Sequence, residues 1–350
     1  MTRPPRRWLS ILGLVLLAIL LAGMTTWGVL ALIYFDPLPH ALRPILAAVF
    51  ALAGIATLVA LCRPRWRTPA LTWFLILFAV LLLCWFQIAP TNEGRWRPEV
   101  AVLPYATLEG NLVTVHNIRN FDYRTETDFT PAYYNATFDA DKLSSVDLFA
   151  VYWMGPSISH GIISFGFADG QHLAVSIEAR SPHGAGYSTI AGFFRQYEVH
   201  YVVADERDVI RLRTNYRLHP VENAYLFHLT GSPEDARRTF MNYIAKINSL
   251  KKQPEFYNSL TDNCITGIWQ NARGNPGRPS FSWKLLLSGY APEYLYEQGR
   301  LDRSVPFEVL RERGHINAKA HAADQDVDFS SKIRATAPEA PGVTEDRPHE

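Results

Sequence analysis

Residues 158–180 read "ISHGIISFGFADGQHLAVSIEAR", and their pairing decides how the chain folds. Two alternating runs flank Asp169-Gly170, the signature of a β-hairpin. With a three-residue loop, Ala168-Asp169-Gly170, the glycine takes the left-handed position after a type I turn. Phe167 then faces Gln171, and counting outward Phe165 faces Leu173, Ile163 faces Val175 and Gly161 faces Ile177. On the other face Gly166 meets His172, Ser164 meets Ala174, Ile162 meets Ser176 and His160 meets Glu178. A two-residue Asp169-Gly170 loop is the alternative. It pairs Phe165 with Ala174 and mixes polar with apolar residues on both faces. A slip of one residue sends every side chain to the other side of the sheet, so the burial pattern favours the first register. That register sets His160 opposite Glu178, with Cβ atoms about 5 Å apart. A carboxylate so placed holds an imidazole in one tautomer and stabilises its cation.

An oriented imidazole suits a nucleophile, and the chain has three cysteines in 350 residues. Cys62 and Cys84 lie in apolar runs. Cys264 lies within 257–269, "YNSLTDNCITGIW". Thr261, Asp262 and Asn263 are candidate N-caps for a helix whose apolar face is Ile265, Ile268 and Trp269. A cysteine in the first turn sits among unpaired N–H groups at the positive end of the helix dipole. Both favour thiolate over a thiol that otherwise titrates near pH ~8.5. Asp262 and Asn263 are candidates to support the site. Taken singly, each residue has a plain structural reading: a buried small hydrophobe, a strand histidine, an exposed carboxylate. Together a helix-start thiol, a strand histidine and a facing carboxylate fit a nucleophile, its base and an orienter.

The N-terminal part carries three apolar blocks, from about Trp8 to Phe35, Ile45 to Cys62 and Leu71 to Ala89. Each is long enough, at roughly 18 residues, to cross a hydrocarbon core of about 30 Å. Trp8, Trp66, Trp73 and Trp85 stand near block ends, where indoles favour the membrane interface. A cleavable signal peptide is the rival for the first block. Its apolar run is too long, and no small-x-small site ends it. Arg3, Arg6 and Arg7 precede the first block and Arg63, Arg65 and Arg67 fill the link between the second and third, against Arg43 alone in the link "DPLPHALRP". Positive residues stay inside, which predicts a cytoplasmic N-terminus and an extracytoplasmic remainder. Arg95 and Arg97 after the third block oppose this mildly. Outside, a thiol with no soluble cysteine to pair with is a liability unless it is buried or used.

A formal net charge of +1 argues against a nucleic-acid surface, which needs a concentrated basic excess. His160, His172 and His183 lack compact metal-ligand spacing, and no glycine-rich phosphate loop stands out, so neither metal nor cofactor is expected. Further strands are predicted in "NLVTVHNIRNFDYR", "DKLSSVDLFAVYWMG", "EVHYVVA", "VIRLRT" and "NAYLFHLT". "ADERD" (204–208) reads as a solvated charged turn, with Asp205, Glu206 and Asp208 available to a cation or an arginine. Ser232 and Pro233 open a helix whose stripe is Phe240, Met241, Ile244, Ile247 and Leu250. "SWKLLLSGYAPEYLYEQG" reads as two short helices around a turn. The whole is an α+β domain with an antiparallel sheet and helices gathered later. The expected division is 1–90 membrane helices, 91–334 an extracytoplasmic domain and 335–350 a disordered tail rich in Pro, Ala and Glu.

"ISHGIISFGF", "SIEARSPHGAGYS", "FFRQYEVHYVVADERDVIRLRT", "FYNSLTDNCITGI" and "SGYAPEYLYEQGRL" resemble, in this order, the Lnb N-terminal periplasmic domain family of bacteria, from about Asn117 to Arg334. The resemblance implies a permuted papain-like fold in which histidine precedes cysteine. It also implies Cys264 as nucleophile, His160 as base and Glu178 as the orienting residue. The family's namesake moves an acyl chain to a lipoprotein amine. This chain departs from it in its three N-terminal spans and in lacking an obvious second soluble domain. The expectation is a thiol enzyme of the bacterial inner membrane, with its site in the periplasm, working through a thioester on lipids or lipoproteins. The alternatives are a peptidoglycan amidase or endopeptidase, and a non-catalytic envelope binding or assembly module.

Overall fold

The computed structural model describes residues 6–335, with side chains from residue 11. The tail expected to be disordered, apart from Ala335, lies outside the described residues. The chain divides into two compact units.

The first unit runs to Gly94 and adds Ala185–Glu198 and Glu255–Ser259. Its helices are α1 (Arg6–Ile33), α2 (Leu42–Ala60) and α3 (Pro64–Phe86). Ile11–Ile33 and the whole of α2 and α3 are long and apolar enough to cross a membrane. Two glycines let α1 and α2 approach closely. A Cβ on Gly28 would stand 2.3 Å from the Phe50 ring, and one on Gly54 2.3 Å from Thr25 Oγ1. Small residues at such crossings are what tight helix packing in lipid requires. Phe50 then stacks toward Phe74 at 5.6 Å. The segment 185–198 binds the ends of α1 and α3. Phe194 is buried against Trp27, Tyr34 and Trp85. Arg195 donates to the carbonyls of Trp85 and Ile88 at 2.9 and 3.1 Å, and Gln196 donates to the Tyr34 carbonyl at 2.8 Å.

The second unit is α+β, as expected. Its strands are β1 (Tyr105–Glu109), β2 (Leu112–Arg119), β3 (Asp122–Tyr123), β4 (Phe129–Thr130), β5 (Tyr133–Asp139), β6 (Leu143–Tyr152), β7 (Ser159–Phe167), β8 (His172–Arg180), β9 (Glu198–Ala204, whose first residue belongs to the other unit) and β10 (Asn223–His228). Strands β3 and β4 pair apart from an eight-stranded sheet of order β1-β2-β9-β8-β7-β6-β10, with β5 also on β2. The sheet is mixed rather than purely antiparallel, because β2 meets β9 in parallel at Arg119 and Ala204. Helix α4 (Glu206–Arg211) lies between β9 and β10, and α5 (Pro233–Lys252), α6 (Cys264–Asn271), α7 (Trp283–Leu286), α8 (Ala291–Glu297), α9 (Phe307–Gly314), α10 (Asn317–Ala322) and α11 (Phe329–Arg334) follow β10.

The hairpin adopts the three-residue loop. Gly170 has φ +86°, its N–H reaches the Phe167 carbonyl at 2.9 Å, and the Phe167 N–H reaches that of Gln171. The ladder runs from Gly166 opposite His172 to Ile162 opposite Ser176. Strand β7 is buried at every position, so both faces of the sheet are covered. On one face Phe165 packs on Phe240 and Tyr243 of α5 at 5.1 and 5.4 Å, and Gly161 lies under Ile265 and Ile268 of α6. In the α5 stripe Tyr243 is buried where Met241 is only partly so. On the other face Ile162 joins Phe149, Val151, Val209, Ile210, Phe329 and Ile333.

The strand expected in "VIRLRT" is helical: α4 and a π-helical turn, Leu212–Tyr216. Asp205 caps it, its carboxylate accepting from Arg207 N–H at 2.8 Å. Local capping and the acidic first turn outweigh the alternating pattern. Nor is "ADERD" a solvated turn. Glu206 and Asp208 are 0% exposed. Asp208 meets Arg119 at 2.6 Å, and Arg334, at the end of α11, bridges Glu206 and Asp147 at 2.6 and 2.7 Å. Ser164 donates to Glu206 at 2.5 Å. These pairs answer the polar groups that β7 sends into the second face. Burial opposes both charges, yet Arg334 holds Glu206, and His228 with Arg334 holds Asp147, below the usual carboxylate range. Such stabilisation is present above the unfolded pKa values and lost as pH falls through the folded ones. Arg334→Ala leaves both carboxylates buried without their cation and should cost about 3–5 kcal/mol. Denaturant unfolding should show that loss near neutral pH and a smaller one in acid; an unchanged midpoint would contradict the pairing.

Candidate active site

Helix α6 starts at Cys264 because Asn263 caps it. The Asn263 backbone is extended, and its Oδ1 accepts from Ile265 and Thr266 N–H, both at 3.0 Å. Of the three candidate caps, Asn263 serves. Asp262 instead accepts a hydrogen bond from Thr261 Oγ1 at 2.7 Å. The thiol therefore occupies the first helical position and is 8% exposed. Its sulfur accepts from Gly161 N–H at 3.4 Å and lies 4.0 Å from the Ser159 carbonyl oxygen. Gly161 makes this approach feasible, since a Cβ there would meet Ile265 Cδ1 at 2.5 Å. Helix α6 is thus seated directly on the strand that carries the histidine.

His160 is also 8% exposed. Its Nε2 lies 2.6 Å from Ser176 Oγ and 3.2 Å from Glu178 Oε1. Ser176 in turn donates to Glu178 Oε1 at 2.7 Å. Ser176 thus accepts from the ring and passes a hydrogen bond on to the carboxylate, and a side-chain interaction also links the ring to Cys264. Behind Glu178 stands Arg213 at 3.2 Å, which also meets Glu222 at 3.2 Å, and Arg217 meets Glu222 at 3.1 Å.

Sequence reasoning placed His160 and Glu178 together and left out two members of this array. Ser176 is two residues before Glu178, hence on the same face of β8, and period two alone could have found it. Arg213 was hidden by the strand reading of its segment. Among the described residues no group of His, Cys, Asp and Glu is arranged to hold a metal; His172 turns instead toward the Gly170 carbonyl at 3.1 Å.

The charges follow from the partners. Burial disfavours the His160 cation, but Glu178 and then Cys264 more than offset it, and the pKa rises to about 9. Burial likewise disfavours the Cys264 thiolate, but His160 and the Gly161 N–H lower its pKa below that of an ordinary thiol. Glu178 is held well below the carboxylate range, against its burial, by His160, Arg213 and Ser176. Both shifts favour thiolate beside imidazolium, the reactive form of a cysteine, over the neutral pair.

Residues 129–289 match the model of the Lnb N-terminal periplasmic domain. This is the family whose motifs the chain resembles. No curated protein and no solved structure matches the chain. The Lnb-type segment holds β7, β8, α4, α5 and α6, hence Cys264, His160, Ser176, Glu178 and Arg213, and leaves out the three apolar helices and α8–α11. A periplasmic-type domain behind three spanning helices describes an inner-membrane protein with an extracytoplasmic part.

The pair sets the pH dependence of alkylation. With Cys62 and Cys84 replaced by serine, iodoacetamide should modify Cys264 at a rate that stays high from pH 9 down toward neutrality. His160→Ala should restore an ordinary thiol, whose rate falls about tenfold per pH unit below its pKa. A wild-type rate that already falls this way from pH 9 would rule out the ion pair.

Proposed function

We propose that this chain is a membrane-anchored thiol enzyme that transfers or hydrolyses an acyl group of a lipid or lipoprotein through a thioester on Cys264. One observation carries the proposal: a thiol at a helix start meets a buried imidazole whose far nitrogen is held by a hydroxyl and a carboxylate. The order histidine before cysteine on a sheet and a helix fits a permuted papain-like arrangement. The Lnb-type match adds the family's namesake chemistry as a guide to substrate class.

In this reading the Cys264 thiolate attacks an ester or amide carbonyl, and a C–S bond forms. The charge that develops on oxygen is met by the Cys264 N–H, which Asn263 leaves open when it caps the next two. The His160 imidazolium gives its proton to the departing alcohol or amine as the carbonyl–oxygen or carbonyl–nitrogen bond breaks. Neutral His160 then takes a proton from an acceptor amine or water, which attacks the thioester and expels the thiolate. Ser176 and Glu178 keep the ring oriented and its cation stable, and Arg213 keeps Glu178 ionised.

The domain 91–334 works outside the membrane in this proposal, with the N-terminus inside. Arg63, Arg65 and Arg67 between α2 and α3 support that orientation. Two of the cations that oppose it are paired with acids: Arg43 with Asp36 at 3.1 Å and Arg97 with Glu99 at 2.8 Å. Anchoring raises the local concentration of membrane substrates, which favours lipids and lipoproteins over soluble peptides.

Mass spectrometry of lipoproteins and of cell-wall fragments, from cells with and without the gene, tests the substrate class. Altered lipoprotein acylation is expected; altered cell-wall fragments alone would replace the reading with a peptidoglycan amidase or endopeptidase. Cys264→Ala and His160→Ala should each reduce turnover by about a thousandfold or more. Glu178→Gln should reduce it less, because Ser176 still orients the ring. Equal mild losses in all three would instead indicate a binding or assembly module.

A further inference from the structure

Apart from the thiol site, the second unit has a half-open cavity of about 480 Å³, within the range of roughly 300–1,000 Å³ found for small-molecule sites. It lies between β6 and β7 and helices α5 to α8. Leu148, Ile163, Tyr243, Ile265, Ile268 and Leu285 line its depth. Apolar side chains that face such a pocket gain burial when a hydrocarbon fills it.

The rim supplies charge. Arg278 and Arg300 both reach it, and neither has a carboxylate partner among the described residues. The Arg278 guanidinium lies over the Trp269 ring at 3.5 Å, and its Nε has no hydrogen-bond partner there. Arg300 donates to the carbonyls of Pro276 and Gly277. Burial, then nearby Arg273, lower the pKa of Arg278, the sign expected of a cation with no anion beside it. The other charged rim groups are taken: Asp235 by Arg238 at 3.0 Å, and His228 by Asp147 at 2.9 Å.

We propose that this cavity binds a long-chain carboxylate, with its hydrocarbon tail between α5 and α6 and its head at Arg278 and Arg300. Cys264 and His160 do not line it, so the site stands whether or not the thiol is a nucleophile. It borders the same helix, however. Ile265 and Ile268 form its wall and also cover Gly161, against which the sulfur rests. A bound tail therefore packs against the same face of α6 that rests on the strand.

The test uses the full chain held in amphipol and displacement of a fluorescent fatty acid by unlabelled carboxylates of 8 to 18 carbons. Affinity should rise about fourfold per added methylene and level off once the cavity is filled. Arg278→Ala should weaken carboxylates at least tenfold and leave the alcohol of equal length unchanged. Ala236→Trp, which fills the cavity from α5, should weaken both acid and alcohol. A rise with no plateau, equal losses of acid and alcohol in Arg278→Ala, or undiminished binding in a folded Ala236→Trp protein would each overturn the proposal. Because the readout is binding, it is separable from any failure of Cys264 to turn over substrate.

Discussion

Glu178 stands between His160 and Arg213, 3.2 Å from each. A carboxylate set between two cations stays ionised in a largely buried place, and each cation is stabilised by it. Its neighbours follow from this. The imidazole is pushed to hold its proton at higher pH than an ordinary histidine, and the thiol beside that cation is made easier to ionise. The strand that carries His160 must be packed on both sides to keep this array dry, which explains helices on both faces of the sheet and ion pairs wherever a polar side chain points inward.

Much of this was legible in the sequence, through the burial pattern of one hairpin. Large apolar residues fall on one face of β7 and β8 in only one register, and that register forces His160 and Glu178 together. The helix that presents Cys264 was equally readable, because three capping residue types in a row precede an apolar face. The strands "EVHYVVA" and "NAYLFHLT" and the Ser232-capped helix carry their own local signals and appear where expected.

Other elements depend on partners far along the chain. "VIRLRT" alternates like a strand, but Asp205 caps it as a helix and its arginines answer acids on other elements. Glu206 and Asp208 look solvent-exposed until Arg334 and Arg119 are brought to them over distances that no local pattern encodes. The helices after Phe307 lack the periodicity that marks α5, and they are held by contact with β10 and the second face of the sheet. Ser176 was on the correct face; recognising its role required knowing that Nε2, and not only the carboxylate, lies within its reach.

The counter-ion for Glu206 and Asp147 arrives late in synthesis. Strand β6 and helix α4 leave the ribosome well before Arg334 does. Until then Glu206 lacks its arginine and Asp147 has only His228 beside it, so the second face of the sheet lacks its full set of counter-charges. Closing that face is thereby tied to the arrival of the segment that carries Arg334.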